Sequence, residues 1–216
     1  MSKSAKKVPA TPARARRNQA DRSAEMRARL LKACVDSLYE HGYAATTTTV
    51  VCEAAKVSRG AMLHHFPTRV DMLLYVVQTV YEEDVALYRQ ALDPIKDIAQ
   101  RWRVLPEVMW QVLGRPAAVA VLEILQGARS DPTLAPRLRA LQSRIERDSF
   151  KRSAELLGRD DGVNPEAARL VVWAIRGLSI AGLVSTRPAD TRKSVELLQR
   201  MLEVSRAAGL FGPQVA

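Results

Sequence analysis

The sequence predicts an all-α protein of about nine or ten helices, in which three short N-terminal helices precede a larger helical bundle. Three observations predict it. Apolar residues recur at three- and four-residue spacing through most of the chain, as on the buried stripe of an amphipathic helix. Many runs are bounded by Gly or by Asp-Pro and Asn-Pro pairs, which start and stop helices. No run alternates polar and apolar with period two, and no Asn-Gly turn closes a hairpin.

Residues 1–20 are rich in Lys, Arg, Ala and Pro without hydrophobic period, and are expected as a disordered basic arm. From 22 to 41 a stripe of Met26, Leu30, Leu31, Cys34, Val35 and Leu38 predicts the first helix, with Gly42 as its stop. The hydroxyls of Thr46–Thr49 suit an N-cap, so a second helix should run from near Thr47 to Ala55 or Lys56. Val57 is the turn. Ser58 caps a third helix that must end before Pro67, because the proline biases Phe66 away from helical angles. Thr68 caps a helix carrying Met72, Leu73, Val76, Val77, Val80 and Leu87.

Asp93-Pro94 and Asn164-Pro165 each read as a cap followed by proline at the first helical position. Pro106, Gly114-Arg115-Pro116 and Asp131-Pro132 read as further boundaries. Pro136 belongs in the first turn of a helix that starts near Thr133, carries Leu134, Leu138, Leu141 and Ile145, and runs to Gly158. The segment 165–186 is apolar almost all round and is expected to be buried on several sides. A last helix covers 190–208. The division expected is an arm over 1–20, a helix-turn-helix domain over 21–67 and a helical body over 68–216.

The chain has 33 basic and 23 acidic residues, and its first 32 residues carry ten basic against two acidic, or +8 of the +10 net charge. A basic head on a nearly neutral body points to a polyanion, either nucleic acid or an anionic membrane surface. Cys34 and Cys52 are too few and too far apart for a disulfide scaffold or a zinc knuckle, and fit a reducing cytoplasm. The start lacks the apolar core of a secretory signal. A transit peptide shares its Arg-rich, acid-poor character, but the helix that follows favours a basic arm. The longest apolar stretch, Leu170–Val184, holds Arg176 and falls short of the roughly 20 residues of a membrane span. No nucleotide loop, metalloprotease or nucleophile-elbow motif occurs, and no His lies beyond His65 to complete a triad, so catalysis is not expected. His64 and His65 diverge by ~100° on a helix and lack ligand-spaced partners, so neither metal nor cofactor is expected.

On a helical wheel Met62 and Phe66 of the third helix face the core. Gly60, Ala61, Leu63 and His64 spread over the opposite side, with Arg59 at the edge. A small outward face bearing one Arg and one His permits close approach to a DNA major groove, where an acidic face is repelled by phosphate. Three short helices with a tight turn before the third have helix-turn-helix geometry.

At these residues the chain resembles the TetR family of bacterial transcriptional repressors. Gly42-Tyr43-Ala44-Ala45-Thr46-Thr47 is similar to the family's GYxxTT, and the run from Ala55 to Phe66 to its AGVSxGxLYxHF, over about residues 22–75. Lys56 replaces the usual turn glycine, Leu63 a frequent Tyr, and Cys52 a small Ala. The resemblance implies that Ser58–Phe66 enters the major groove, that Thr47, His65 and Arg69 hold phosphates, and that Thr48 lies in the same contact set. Arg59 then reaches a guanine edge, a contact worth ~1–3 kcal/mol of discrimination. Arg14, Arg16 and Arg17 enter the minor groove, add counterion-release affinity, or remain a solvated tail.

Tyr88, Trp102, Met109, Trp110 and Phe150 are either plain core or the lining of a pocket for a small effector. Arg176, in an apolar helix, needs a partner: a carboxylate of this chain, one across a subunit interface, or an anionic ligand. The resemblance also implies dimerisation through two long helices, here about 133–158 and 165–186, with Ala174, Leu178 and Ala181 on one stripe. The function expected is a cytoplasmic homodimeric repressor that reads a palindromic operator and is released by a small molecule. The alternative is a helical ligand-binding or interaction protein whose basic head binds nucleic acid without sequence preference.

Overall fold

A computed structural model describes residues 12–160 and 162–211. The described residues form nine α-helices, one 3₁₀ turn (Ala128–Ser130) and no strand. In order the helices are α1 (Pro12–Ala45), α2 (Thr48–Ala55), α3 (Arg59–His65), α4 (Arg69–Leu92), α5 (Ile98–Leu113), α6 (Pro116–Gly127), α7 (Leu134–Leu156), α8 (Pro165–Val184) and α9 (Pro188–Ala207).

The first helix starts earlier than its hydrophobic stripe. Residues 12–20, expected to be disordered, are helical; Pro12 needs no N–H at a helix start, and Ala, Arg and Gln are good helix formers. Residues 1–11 lie outside the described residues. The helix breaks at Gly42, whose φ of 78° and ψ of 178° belong to a region open only to glycine.

Two prolines also depart from expectation. Asp93 is the C-cap of α4, donating its N–H to the Arg89 carbonyl, and the next helix begins only at Ile98 under an Asp97 cap. Pro106 lies buried inside α5 rather than at a boundary. It forfeits one backbone hydrogen bond, and its packing offsets the loss. The remaining boundaries fall close to expectation, including Pro136 in the first turn of α7 and Asn164 capping α8.

Two apolar cores organise the body. The first joins α1, α2, α3 and the N-terminal half of α4 to α6 and the start of α7, through Leu30, Leu38, Met62, Leu73, Ile124 and Leu134. The second, made by Met109, Leu113, Val171, Ile175 and Phe211, lies among α5, α8 and the chain end. Helix α4 serves both. At 24 residues it is about 36 Å long, with Met72–Val80 in the first core and Tyr88 against the second.

Helix α8 is not buried on several sides. Val171, Ile175 and Ser179 pack inward, while Leu170 is 73%, Trp173 52% and Val184 79% exposed. The apolar outer face continues on α9, where Leu197, Met201 and Val204 are exposed at i, i+4 and i+7.

Candidate nucleic-acid interface

Local hydrogen bonds set the two helices at the head. Thr47 Oγ1 accepts the Val50 N–H (3.2 Å) and caps α2; Ser58 Oγ accepts the Ala61 N–H (3.2 Å) and caps α3. Between them Lys56 adopts left-handed angles (φ 54°, ψ 48°), the only non-glycine to do so among the described residues. That turn lets Val57 N–H return to the Cys52 carbonyl at 2.9 Å. Arg29 of α1 donates from Nη2 to the carbonyls of Ala55 and Lys56, placing a cation on the negative end of α2. Met62 is fully buried with its sulfur 3.5 Å from Cys52 Sγ, which locks α3 onto α2. Burial pushes the Cys34 thiol up to about 12 and raises that of Cys52, so both stay protonated and unreactive.

Helix α3 then presents its outer face as expected. Ser58, Arg59, Gly60, Leu63 and His64 are exposed, Ala61 and His65 half-buried. A methyl group built on Gly60 meets nothing within 4 Å. No acidic residue occurs between Glu53 and Asp71, so α3 itself carries no negative side chain, and Glu53 of α2 is the acid beside its start, near Ser58 and Arg59. Thr47 is exposed and Thr48 half-buried at the start of α2, beside backbone N–H groups that attract an anion. Burial, then the neighbouring His64 and Arg27, hold the His65 pKa below its ordinary value, so its ring is a neutral hydrogen-bonding group at pH 7.

Arg69, expected to hold a phosphate, is bonded to the chain's own backbone. Its Nε donates to the Thr46 carbonyl (2.9 Å), its Nη2 to the Tyr43 carbonyl (2.6 Å), and its guanidinium lies 4.2 Å above the Tyr43 ring. The cause is the break at Gly42, which leaves carbonyls of the following turn without helical donors. Tyr43 is held in turn from the body: its hydroxyl donates to Asp131 (2.7 Å) and its N–H to Glu123 (3.2 Å). Bonds from Tyr43, the Thr133 hydroxyl and the Leu134 N–H hold the Asp131 carboxyl far below the usual carboxylate range. Sequence reading missed Arg29, and it names Tyr43 only within a motif and Asp131 only as a helix boundary, with no contact assigned to either. Arg14, Arg16 and Arg17 have helical backbone, and their side chains lie outside the described residues.

A cavity of about 150 Å³ opens between α4, α5, α7 and α8. Of the residues expected at an effector pocket, Tyr88, Trp102, Met109 and Phe150 line it. Trp110 and Arg176 do not. Trp110 packs beside Gly182 of α8, and Arg176 lies behind the wall with its guanidinium 5.3 Å from the Trp173 ring. Sequence reading missed Tyr81, Arg152, Val172 and Phe211 in the lining, although Tyr81, Val85, Tyr88 and Leu92 form one visible stripe of α4. Of the expected interface stripe, Ala174 and Leu178 are half-buried and only Ala181 is exposed. The exposed apolar face belongs to α8 and α9, and α7 contributes no large exposed apolar side chain. Among the described residues no three His, Cys, Asp or Glu side chains converge on a point where a metal fits.

Two capped helices across a tight turn, the second exposing an acid-free face, define a helix-turn-helix DNA-binding protein, here joined to a helical body with a cavity. Residues 30–76 match the family model described as bacterial regulatory proteins, tetR family. The HTH-type transcriptional regulator CymR of Pseudomonas putida is 31% identical over 200 residues, covering 88% of this chain and 94% of its own. The chain belongs to the TetR family of bacterial transcriptional regulators. The HTH-type transcriptional activator FasR of Mycolicibacterium smegmatis is 25% identical, covering 80% of this chain and 78% of its own. In fold, the chain is similar to a transcriptional regulator from Rhodococcus (TM-score 0.61, 24% identity, 82% of this chain and 95% of that one). It is similar too to a regulator from Saccharomonospora viridis solved with choline (TM-score 0.60, 17% identity, 87% and 98%).

Proposed function

We propose that the protein is a homodimeric repressor whose two heads grip a palindromic operator and let go when a small molecule enters the cavity. The observation that carries this reading is the span of α4, whose N-terminal half shares a core with α3 and whose C-terminal half walls the cavity. A ligand that fits the cavity better in one position of α4 shifts the balance between two settings of the head. On DNA, Arg59, Gly60, Ala61, Leu63 and His64 approach the bases, while Thr47, Thr48, Ser58 and His65 meet the backbone. Arg14, Arg16 and Arg17 add charge along the adjoining duplex, and Arg69 serves as an internal strut.

The reading divides the chain into a head over 21–67 and a body over 68–216. It places the protein in the cytoplasm and assigns it binding without catalysis. A single short recognition helix does not reach the ~10⁻⁸–10⁻¹¹ M affinities of specific regulators, and two heads on a two-fold axis do. The exposed apolar faces of α8 and α9 supply the surface for that axis, in place of α7 and α8.

Footprinting on the DNA upstream of its own gene tests the proposal. A discrete palindrome with half-sites about one helical turn or a multiple apart is expected, and Gly60→Glu should erase it with little change in melting temperature. Uniform, salt-sensitive coating of the DNA would instead support the non-specific alternative. A reporter that falls silent when the protein is deleted would turn the repressor into an activator.

A further inference from the structure

Only Lys56 and Val57 separate the last residue of α2 from Ser58, the cap of α3, so their backbone angles set where α3 starts. Lys56 is left-handed (φ 54°, ψ 48°), a conformation that crowds the Cβ of an L-residue against the following carbonyl oxygen. Its N–H returns to the Glu53 carbonyl at 3.0 Å, and that of Val57 to the Cys52 carbonyl at 2.9 Å. These paired bonds close a helix at a left-handed residue. They do not use the carbonyls of Ala55 or of Lys56 itself, and the turn has no glycine to take the angles without strain.

Arg29 of α1 supplies what the turn lacks. Its Nη2 donates to both of those carbonyls, the one of Lys56 at 3.0 Å. The two oxygens belong to the peptide groups on either side of the Lys56 Cα. A single nitrogen reaches both only while the angles at Lys56 hold them on one side; an extended residue points them to opposite sides. Arg29 makes no ion pair among the described residues, although Glu25 stands one turn before it on α1. Asp36, two turns after it, is taken by Lys32 at 2.6 Å. The bonds of Arg29 thus go to the turn. Helix α3 has its other anchors below and behind: Met62 and Phe66 are buried, and Val57 packs on the same core. Arg59 and Gly60, at its N-terminal end, are exposed and are held through the Ser58 cap and the turn before it.

We propose that Arg29 is a positioning residue for DNA recognition, fixing the Lys56 turn and with it the end of α3 that bears Arg59 and Gly60, where a recognition helix meets base edges. This rests on the reading of α3 as the helix that enters the major groove. It adds a residue outside that helix which governs specificity without touching DNA. Base readout depends on hydrogen-bond geometry, whereas attraction to phosphate tolerates displacement. Loosening the turn therefore weakens the operator complex and leaves general attraction to DNA as it was.

Fluorescence anisotropy of the full-length protein on its footprinted operator and on a scrambled duplex, over a series of salt concentrations, tests the proposal. Arg29→Ala is expected to bind the operator about tenfold more weakly, the worth of a hydrogen bond from a charged group. The scrambled duplex should be bound as before, with the salt slope unchanged. Arg29 is exposed, so its loss leaves Leu30, Cys34 and Leu38 of α1 packed and the variant folded, which its melting curve checks. Arg29→Met, which keeps the packing of the stem, serves where the alanine variant melts early. Glycine takes left-handed angles without a holder. In a Lys56→Gly background the same change at Arg29 should therefore cost no more than about twofold, the ordinary scatter of additive changes. A salt slope that falls by about one, with both duplexes bound more weakly, would make Arg29 a phosphate contact and overturn the proposal. So would an Arg29→Ala protein that binds like wild type, or an equal loss in both backgrounds. The placement of α3 is read separately from Gly60→Glu: a variant that keeps the operator removes that placement, whatever Arg29 does.

Discussion

Tyr43 is the residue through which the DNA-binding head is fastened to the body, and each of its polar groups is used in that role. Its ring lies against Gly127 of α6, where a single added methyl carbon falls 2.2 Å from the ring. Gly127→Ala is therefore expected to cost about 1–3 kcal/mol by overpacking, read as a lower denaturant midpoint with unchanged slope. Asp131 sits at the other end of the same tyrosine. Because its folded pKa lies below the ordinary value near 4, the unfolded chain takes up the proton first as pH falls. The stability Asp131 contributes is complete above about pH 5 and is lost progressively as pH drops through the ordinary carboxylate range. Asp131→Asn should lower the melting temperature at pH 7 and flatten its fall below pH 5. Asp71 and Asp148, also held low by their hydrogen-bonded partners, keep part of that fall in place. The pairing of Tyr43 with Asp131 is not visible in the sequence, although each residue stands out there, one in a motif and one at a helix boundary. A cap is announced by a residue beside its own helix, as Thr47 and Ser58 were, whereas Tyr43 and Asp131 meet across 88 positions.

Among the elements, those governed by local chemistry were read correctly from the chain. Helix α3 is fixed by Ser58 at one end and Pro67 beyond the other, and its inner and outer faces follow from Met62 and Phe66 alone. Elements governed by packing were read less well. Pro106 carries a boundary signal that the core overrides, and α8 looks buried because one sequence cannot distinguish the interior of a protomer from an unpartnered apolar surface. At the N-terminus the chain lacks a hydrophobic stripe, yet α1 extends about three turns ahead of its packed segment with helical backbone over a basic sequence. Deleting residues 1–20 removes six basic residues and no acidic one. The truncated protein should bind operator more weakly and show a shallower slope of log K against log salt. An unchanged slope would show that this extension does not touch DNA.

On the scale of the whole molecule, the apolar outer faces of α8 and α9 are the feature a lone protomer leaves unexplained. Leu170 and Met201 are largely exposed in the protomer, so charges placed there leave the protomer's own packing alone and are buried only on association. The double variant Leu170→Glu, Met201→Glu is expected to sediment as a folded monomer at micromolar concentration and to lose operator binding. A wild-type protein that sediments as a monomer would sink the dimer. A dimeric double variant would move the interface to another face.

The first core has a further consequence, because it crosses the line between head and body. The cluster that includes Met62 of the recognition helix and Leu38 of α1 also includes Ala120, Ile124 and Leu138 of the body. The head is thus not an independently melting piece. Native-state hydrogen exchange should find two cooperative opening units whose border runs across α4 and not along the loop at Pro67. Amides of α2, α3, α6 and early α7 should open together, and those of α5 and α8 as a second set. An excised fragment ending near residue 67 should be unfolded in solution.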